Sequence, residues 1–346
     1  MTLFPYRRCL IKILVTGANG HLGYNLIKGL LEKEHNVRGS IRSLKDELKV
    51  ARVKELGDVE LAEADLSNKD QLRKAMEGID LLFHTAAVYA YVAPGRENEI
   101  IEASVNGIEK TFRAASEAGV KKIVLTSSIV SLPVTLPDDP PVNEKDWSKD
   151  LQVPYIRAKT QGEQLAWDLA KDLKLNLVTV LPGAIAGPGF VKNTPTIDLI
   201  EAMMLNYFRF GVISMNYPIV DVRDVVDVHI RAAEKDCEGR FIVCNDTIPT
   251  FREMVETLHA IDPKVGLPLM TMPNFMMGVS GMFDKINNLI FGTPMIVLPE
   301  LMATLKGKIW NMSNQRSKDV LGWQQKISLE QSLKDTIGVI RDLRQN

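Results

Sequence analysis

Short apolar runs alternate with longer amphipathic segments along the first half of the chain. The apolar runs predict strands over 11–15, 36–42, 59–64, 79–84, 122–127 and 175–181. The amphipathic segments predict helices, the first from Tyr24 and the others over 44–56, 70–77, 97–118 and 155–173. Strands that alternate with helices are typical of an α/β doubly wound parallel sheet. We therefore expect the carboxyl ends of these strands to share one edge, where ligands bind.

Beyond Pro182 the pattern becomes irregular. A helix over 222–234 and a strand over 240–244 are expected to return to the sheet, whereas the remaining segments predict a smaller lobe. Residues 1–186, with 218–250, are thus assigned mainly to the sheet domain, and 187–217 and 251–346 mainly to the lobe. Twelve of the fourteen methionines lie at Met203 or later. Methionine suits an apolar ligand of irregular shape, but it also fills cores, and both interpretations stay open.

Composition excludes several classes of partner. The chain has 346 residues, 45% of them apolar, with 42 basic and 43 acidic side chains. This near balance, without a basic patch, argues against a nucleic-acid partner and against electrostatic attachment to a membrane. The three cysteines, Cys9, Cys237 and Cys244, are scattered, which favours a reducing, cytoplasmic location. The spacing of cysteines and histidines predicts no metal site.

The sequence shows no segment expected to cross a membrane. The first ten residues lack the apolar core of a signal peptide. The most apolar candidate, 275–302, is interrupted by Asp284, Lys285, Pro294 and Pro299, so it is not expected to span a bilayer. A peripheral membrane contact of this segment remains an alternative.

Three glycines follow the first predicted strand and lead into the first predicted helix. In this context Gly17 allows a tight turn, Gly20 lets the backbone approach a phosphate, and Gly23 lets the helix pack closely on the strand. The helix N-terminus adds N–H groups and a partial positive charge. The pattern therefore predicts a dinucleotide pyrophosphate site. Its expected cofactor contacts are Gly17, Asn19, Gly20, His21, Leu22 and Gly23.

The residue at the end of the second predicted strand indicates which dinucleotide binds. Arg42 stands where a carboxylate would bind the ribose 2′-hydroxyl of NAD, and Gly39 and Ser40 before it carry no acid. An arginine there accommodates the 2′-phosphate of NADP(H) instead, with Lys45 and Lys49 as possible sources of further positive charge. The alternative is a solvated side chain at a strand end.

Two further strand ends carry candidate cofactor contacts. Asp65 and Leu66 follow the third predicted strand, near the expected adenine. Asp65 could accept a hydrogen bond from the adenine amino group, or it could cap the helix beginning near Asn68. The small residues Ala86 and Ala87 follow the fourth strand and would let the chain pass under the nicotinamide-side ribose.

A tyrosine and a lysine provide the candidate catalytic chemistry. Tyr155 and Lys159 are four residues apart and project from the same face of a predicted helix. A nearby ammonium group favours the phenolate, so Tyr155 becomes a usable proton donor and acceptor near neutral pH. A serine hydroxyl from Ser127 or Ser128, at the end of the fifth strand, can hydrogen-bond the reacting oxygen. The second Tyr-x-x-x-Lys pattern, Tyr24 to Lys28, is interpreted as an ordinary surface pair.

The order of these motifs, together with 181–188, resembles the extended branch of the short-chain dehydrogenase/reductase superfamily. The segments 37–42 and 220–225 resemble its dihydroflavonol reductase and cinnamoyl-CoA reductase group. This resemblance implies a Rossmann sheet with a smaller C-terminal substrate-binding lobe, and a homodimer formed through helices 97–118 and 155–173.

The resemblance also implies a role for each candidate site residue. Tyr155 is the acid, and Lys159 lowers its pKa and holds the nicotinamide ribose. Ser128, or failing that Ser127, polarises the carbonyl. Pro182 and Gly183 line the nicotinamide pocket.

The expected activity is NADPH-dependent reduction of a small-molecule ketone or aldehyde to the alcohol, in a reversible reaction. A nucleotide-sugar epimerase or dehydratase is the first alternative; Arg42 disfavours its tightly bound NAD, and the lobe is apolar. An enzyme similar to 3β-hydroxysteroid dehydrogenase is another. A non-catalytic dinucleotide sensor would not need the serine, tyrosine and lysine.

Overall fold

Alternating strands and helices follow the predicted order in the computed structural model, which describes residues 11–86, 97–272 and 304–345. The strands are β1 (Lys12–Thr16), β2 (Asn36–Ile41), β3 (Glu60–Glu63), β4 (Leu81–His84), β5 (Lys122–Thr126), β6 (Asn176–Pro182), β7 (Ala184–Ala186), β8 (Val212–Ile213), β9 (Ile219–Asp221), β10 (Gly239–Val243) and β11 (Thr271–Met272).

Ten helices are described in these ranges: α1 (His21–Glu32), α2 (Glu47–Lys54), α3 (Lys69–Ala75), α4 (Glu97–Ala118), α5 (Pro154–Asp172), α6 (Pro195–Met204), α7 (Val222–Glu234), α8 (Phe251–Ile261), α9 (Gln315–Leu321) and α10 (Leu329–Gln345). A single 3₁₀ turn, Ile129–Ser131, follows β5. The first helix begins at His21 rather than at the predicted Tyr24, because the backbone turns into the helix directly after Gly20. The helix predicted over 44–56 is shorter because Asp46 caps it, accepting from the Lys49 N–H.

Seven strands form one sheet in the order β10-β6-β5-β4-β1-β2-β3. Every neighbouring pair is parallel. Starting from β1, the order runs outward through β2 and β3 on one side and through β4, β5 and β6 on the other, which is the Rossmann arrangement. The predicted fold class is therefore confirmed. The strand predicted over 240–244 joins this sheet as β10, one residue earlier than expected, beside β6.

The sheet is buried on both faces, which explains why its central strands are continuous apolar runs. In β1, Ile13 and Val15 pack into a core with α1 and α7. Leu14, between them, points into the opposite core with α3, α4 and α5. Successive strand residues face opposite sides, so both layers require apolar residues at alternating positions of the same strand.

A third core joins the carboxyl side of the sheet to the lobe segments. Met203, Met215, Met254 and Met312 lie in it with no more than 7% of their surface exposed, so these four fill a core. The methionines between 273 and 303, and the apolar segment 275–302, lie outside the described residues. Leu321 and fully buried Trp323 pack against the α1–α7 side of the sheet. The two-part division of the chain stays a prediction.

Within the described ranges no helix is both long enough and apolar enough to cross a bilayer.

Candidate active site

The glycine loop between β1 and α1 has the close packing that the sequence predicts. Gly17 has a φ of 70°, in the left-handed region that favours glycine. A Cβ atom on Gly23 would lie only 2.2 Å from the Gly17 carbonyl oxygen, whereas one on Gly20 would lie 3.2 Å from it. Gly20 precedes the first residue of α1 without a side-chain cap. Because glycine has no side chain to cap the helix, the first N–H groups of α1 are available to bind an anion.

The His21 side chain has a structural partner that the sequence does not reveal. Its Nε2 atom donates to the Pro188 carbonyl oxygen at 3.0 Å, and its ring packs edge-on against Phe190. Burial lowers the pKa of His21 to about 4, so the imidazole is neutral at pH 7. The side chain thus ties the glycine loop to the segment after β7. The predicted contacts of Asn19, His21 and Leu22 with the cofactor stay predictions.

Arg42 and Asp65 lie next to each other at the carboxyl ends of β2 and β3. The Arg42 Nε atom is 3.6 Å from Asp65 Oδ2, and the Arg42 side chain is 79% exposed. Asp65 does not cap α3: its Oδ1 accepts from the Ser67 N–H and hydroxyl, and these bonds hold its pKa below the ordinary value. Asn68 caps α3 instead. Leu66 packs beside Gly107 of α4. The helix-cap alternative for Asp65 is therefore wrong, and an exposed guanidinium lies where a 2′-phosphate is expected.

The ends of β1 and β4 are joined by polar contacts. The Thr16 hydroxyl is 2.9 Å from His84 Nδ1 and accepts from the Ala86 N–H at 3.2 Å, while the Thr85 hydroxyl donates to the Thr16 carbonyl. Burial, together with the charge of Lys159, lowers the pKa of His84 to about 3. Neutral His84 and Ala86 thus lie beside the glycine loop. Ala87 is outside the described residues.

The serine pair and the tyrosine–lysine helix meet at the end of β5. Ser127 follows β5, and its hydroxyl donates to Glu163 Oε2 of α5 at 2.6 Å. The next residue, Ser128, caps the 3₁₀ turn, accepting from the Val130 N–H at 3.4 Å. Tyr155 lies in the first turn of α5 and is half-buried. The helix that carries Tyr155 therefore packs against the segment that carries both serines.

Lys159 lies one helical turn after Tyr155. Burial lowers the pKa of Lys159 to about 8, and the Glu163 carboxylate opposes this by favouring the charged form. Because pH 7 is below this value, the ammonium form dominates at neutral pH. Lys159 can thus supply positive charge beside Tyr155.

The backbone of neighbouring segments packs closely against the end of β6. The Gly183 N–H donates to the Val243 carbonyl oxygen at 2.9 Å, and a Cβ atom on Gly183 would lie 2.5 Å from the Pro218 carbonyl oxygen. Glycine is therefore needed there for packing. The predicted contact of Pro182 and Gly183 with nicotinamide stays a prediction.

The second tyrosine–lysine pair, Tyr24 and Lys28, lies on the surface of α1. The Tyr24 hydroxyl donates to Glu55 at 2.9 Å, and the Arg52 guanidinium stacks 4.0 Å from the ring centroid. Lys28 is exposed. This agrees with an ordinary surface pair.

Sequence reasoning missed a buried ion pair behind the serines. Glu163 and Arg240 approach to 2.9 Å, with side chains 1% and 6% exposed. One signal was available: Glu163 continues the four-residue spacing of Tyr155 and Lys159 on α5. Arg240, on β10, gave no local signal.

Among residues 11–86, 97–272 and 304–345, no cluster of three or more His, Cys, Asp or Glu side chains could hold a metal ion.

Comparison with known proteins identifies the family of this chain. The model of the "NAD dependent epimerase/dehydratase family" matches residues 13–244. Cinnamoyl-CoA reductase 1 of Arabidopsis thaliana is 32% identical over 271 residues, which cover 74% of this chain and 76% of that protein. The bifunctional dihydroflavonol 4-reductase/flavanone 4-reductase of Malus domestica is 29% identical over 272 residues, covering 74% and 78%. Both relatives are named reductases, which confirms the expectation of an oxidoreductase.

A solved structure supports the fold. Yeast methylglyoxal/isovaleraldehyde reductase Gre2, complexed with NADPH, matches with a TM-score of 0.76 at 20% identity, covering 97% of this chain and 99% of that chain. The glycine loop, the sheet order and the family match spanning β1 to β10 lead to one conclusion. The chain belongs to the NAD dependent epimerase/dehydratase family, among the extended short-chain dehydrogenases/reductases similar to dihydroflavonol and cinnamoyl-CoA reductases.

Proposed function

We propose that this protein is an NADPH-dependent reductase that converts a ketone or aldehyde to the alcohol reversibly. One observation carries the proposal: a single edge of the parallel sheet holds the glycine loop after β1, the serine pair after β5 and the tyrosine–lysine helix before β6. This is the edge where ligands bind in doubly wound sheets.

The cofactor would be NADP(H), which supplies the hydride when bound. The α1 N-terminus and the Gly17–Gly23 loop would hold its pyrophosphate. Arg42 would pair with the 2′-phosphate, since its side chain is 79% exposed although its Nε forms an ion pair with Asp65 at 3.6 Å. Asp65 and Leu66 would contact the adenine. The remaining proposed contacts, around the nicotinamide and its ribose, are Ala86, Ala87, Tyr155, Lys159, Pro182 and Gly183.

Tyr155 would donate the proton to the carbonyl oxygen as hydride reaches the carbon. The Lys159 ammonium favours the phenolate that remains, so it lowers the pKa of the tyrosine. Ser128 would hydrogen-bond the reacting oxygen. Ser127 is less suited to this role because its hydroxyl proton is directed to Glu163 at 2.6 Å.

The substrate would carry an aromatic or extended apolar body. The support is that the relatives' names include cinnamoyl-CoA and dihydroflavonol reductases. A nucleotide-sugar substrate would require more polar and basic lobe residues. The homodimer through α4 and α5 and the cytoplasmic location stay predictions.

The test incubates purified protein and NADPH with carbonyl compounds whose apolar body grows while the carbonyl type is kept, and follows the loss of nicotinamide absorbance. Burial of apolar surface contributes about 25 cal/mol per Å². We therefore expect kcat/KM to rise with the size of the apolar body until the site is full. A flat or falling series, or turnover of a sugar nucleotide with saturation at lower concentration, would contradict the proposal and favour an epimerase.

A further inference from the structure

A buried carboxylate on α5 accepts hydrogen bonds from three other parts of the fold. Glu163 Oε1 accepts from Arg240 Nε at 2.9 Å and from the Thr179 hydroxyl at 2.7 Å. Its Oε2 accepts from the Ser127 hydroxyl at 2.6 Å and lies 2.8 Å from the Ser131 hydroxyl. Helix α5, β6, β10 and the segment after β5 therefore meet at one side chain.

Arg240 completes this cluster from the opposite side. Its Nη1 atom donates to the carbonyl oxygens of Glu144 and Asp146, at 2.9 and 2.6 Å. Its guanidinium carbon lies 3.7 Å from the centroid of the Trp147 ring. A charge buried this deeply is stable only when it is paired and its donors are satisfied, and here both conditions hold.

The cluster encloses the backbone of Ser128. On one side of it, Ser127 is held by Glu163 and by an N–H bond to the Val180 carbonyl oxygen at 2.8 Å. On the other side, the Ser131 hydroxyl lies 2.9 Å from the Ser128 carbonyl oxygen and accepts from Arg240 Nη2 at 2.9 Å. The position of Ser128 thus depends on the carboxylate, although the carboxylate does not touch its hydroxyl in any described contact.

We propose that Glu163, held by Arg240, is a positioning residue of this site: it fixes the turn that carries Ser128 and places a negative charge one helical turn after Lys159. The inference rests on the reductase function proposed above. Residues four apart on a helix are neighbours on its surface, so the charge acts on Lys159 directly.

The electrostatic consequence has a definite sign. Burial lowers the pKa of Lys159 to about 8, and the Glu163 carboxylate raises it towards the ordinary value. His84 of β4 is neutral at pH 7, because its pKa is about 3. Removal of the Glu163 charge therefore lets Lys159 lose its proton at lower pH, and the support for the Tyr155 phenolate weakens.

Other charges near α5 do not replace this carboxylate. Strand β6 and the 3₁₀ turn, which pack against α5, contain no ionisable side chain. From residue 101 onward, the charged side chains of α4 are exposed or half-buried: Glu102, Glu109, Lys110, Arg113 and Glu117. Glu109 pairs with Arg113, and Glu117 with Lys69. Glu163 is the acidic side chain whose charge raises the Lys159 pKa.

The experiment measures the titration of Lys159 directly, in full-length protein with ¹³Cε-labelled lysine. NMR follows the Lys159 resonance, which is assigned by its loss in Lys159→Arg. In Glu163→Gln we expect the pKa of Lys159 to fall by about 1 pH unit, the lower end of the effect of a nearby opposite charge. The alkaline limb of kcat/KM for carbonyl reduction should move down with it. The matched control is Asp168→Asn, which removes an exposed carboxylate from the same helix and should change neither quantity.

Glu163→Gln leaves a buried guanidinium unpaired and can fail to fold for that reason alone. The double variant Glu163→Gln/Arg240→Met removes both charges and should show the same downward shift. An unmoved Lys159 titration in either folded variant overturns the inference, as does an equal shift in Asp168→Asn. A moved titration with an unmoved pH profile also overturns it. If no carbonyl compound is reduced, the proposed function fails, and the titration alone still decides whether Glu163 acts on Lys159.

Discussion

Gly23 faces the Gly17 carbonyl oxygen so closely that a Cβ atom on Gly23 would lie 2.2 Å from it. The contact is with backbone, which cannot move aside without displacing the turn between β1 and α1. The third glycine of the loop is therefore required by helix packing, whether or not a cofactor is bound.

Replacing Gly23 by alanine should displace the loop and destabilise the protein. Overpacking of this kind costs about 1–3 kcal/mol, and the affinity for NADPH should fall because the phosphate-binding N–H groups move. Chemical denaturation and a fluorescence titration with NADPH measure the two effects. Gly20→Ala is the control for the unfolding measurement alone: its Cβ would lie 3.2 Å from the same oxygen, at a φ of −77° that alanine adopts readily. Equal losses of unfolding free energy in both variants would contradict the packing argument.

Arg42→Ala should weaken NADPH binding and leave NADH binding unchanged. A charge-assisted hydrogen bond contributes about 1.5–3 kcal/mol, which is roughly a tenfold to hundredfold change in Kd. Equilibrium titration with both cofactors gives the ratio. Arg73→Ala, at an exposed position of α3, serves as the control. An unchanged NADPH preference in Arg42→Ala would assign the specificity to other residues.

Tyr155→Phe should lower kcat while the Kd for NADPH stays close to that of the wild type. The change removes only the oxygen that carries the proton, and general acid catalysis contributes about 10²–10⁴-fold. Steady-state kinetics on any active carbonyl substrate measure the loss. The matched control is Tyr24→Phe on α1, which removes the hydroxyl that donates to Glu55. If Tyr155→Phe retained the wild-type kcat, Tyr155 would not be the acid.

The two serines should respond differently to alanine substitution. Ser128→Ala should lower kcat by about 10²–10³-fold, since it removes a hydrogen bond to the reacting oxygen. Its loss of stability should be smaller than that of Ser127→Ala, because its described bond is a long one, 3.4 Å from the Val130 N–H. Ser127→Ala should instead lower the free energy of unfolding by about 1–3 kcal/mol, because the buried Glu163 carboxylate loses a donor. Kinetics and urea denaturation on both variants separate these roles. The reverse pattern would make Ser127 the catalytic serine.

Acid should destabilise the protein through its buried histidines. His229 is fully buried, donates from Nδ1 to the Val225 carbonyl oxygen and accepts at Nε2 from the Thr126 hydroxyl. Burial lowers its pKa from 6.5 to about 4. Between these values the unfolded chain binds a proton that the folded chain does not, so the free energy of unfolding falls as the pH drops.

The effect of His229 over that range is about 3 kcal/mol, since one pKa unit corresponds to about 1.4 kcal/mol. His84 and His21 act in the same direction. Guanidinium denaturation between pH 7 and pH 4 should show a shallower acid loss in His229→Gln than in the wild type. Parallel pH curves would show that His229 titrates as it does in the unfolded chain.

The sequence by itself determined the alternation of strands and helices, and with it the sheet and the edge that holds the site. Periodicity is local information: Ile13, Leu14 and Val15 must all be apolar because both faces of β1 are covered. The helix over 222–234 was predicted to the residue, and the helix over 97–118 ends where predicted, because their amphipathic periodicity is also local. The glycine spacing and the tyrosine–lysine spacing are likewise local, so the loop and the reactive face of α5 could be predicted.

Only the tertiary structure decided which polar side chains meet. Glu163 and Arg240 are 77 residues apart, and their pairing follows from β10 lying beside β6 in the sheet. The partners of Ser127 and Asp65 were likewise decided in three dimensions. Ser127 donates to a carboxylate on another element. Asp65 accepts from Ser67 in a turn, although its sequence position also allowed a helix cap. A buried hydrogen bond is set by distance in space and by the exclusion of water. Neither quantity is encoded by spacing along the chain.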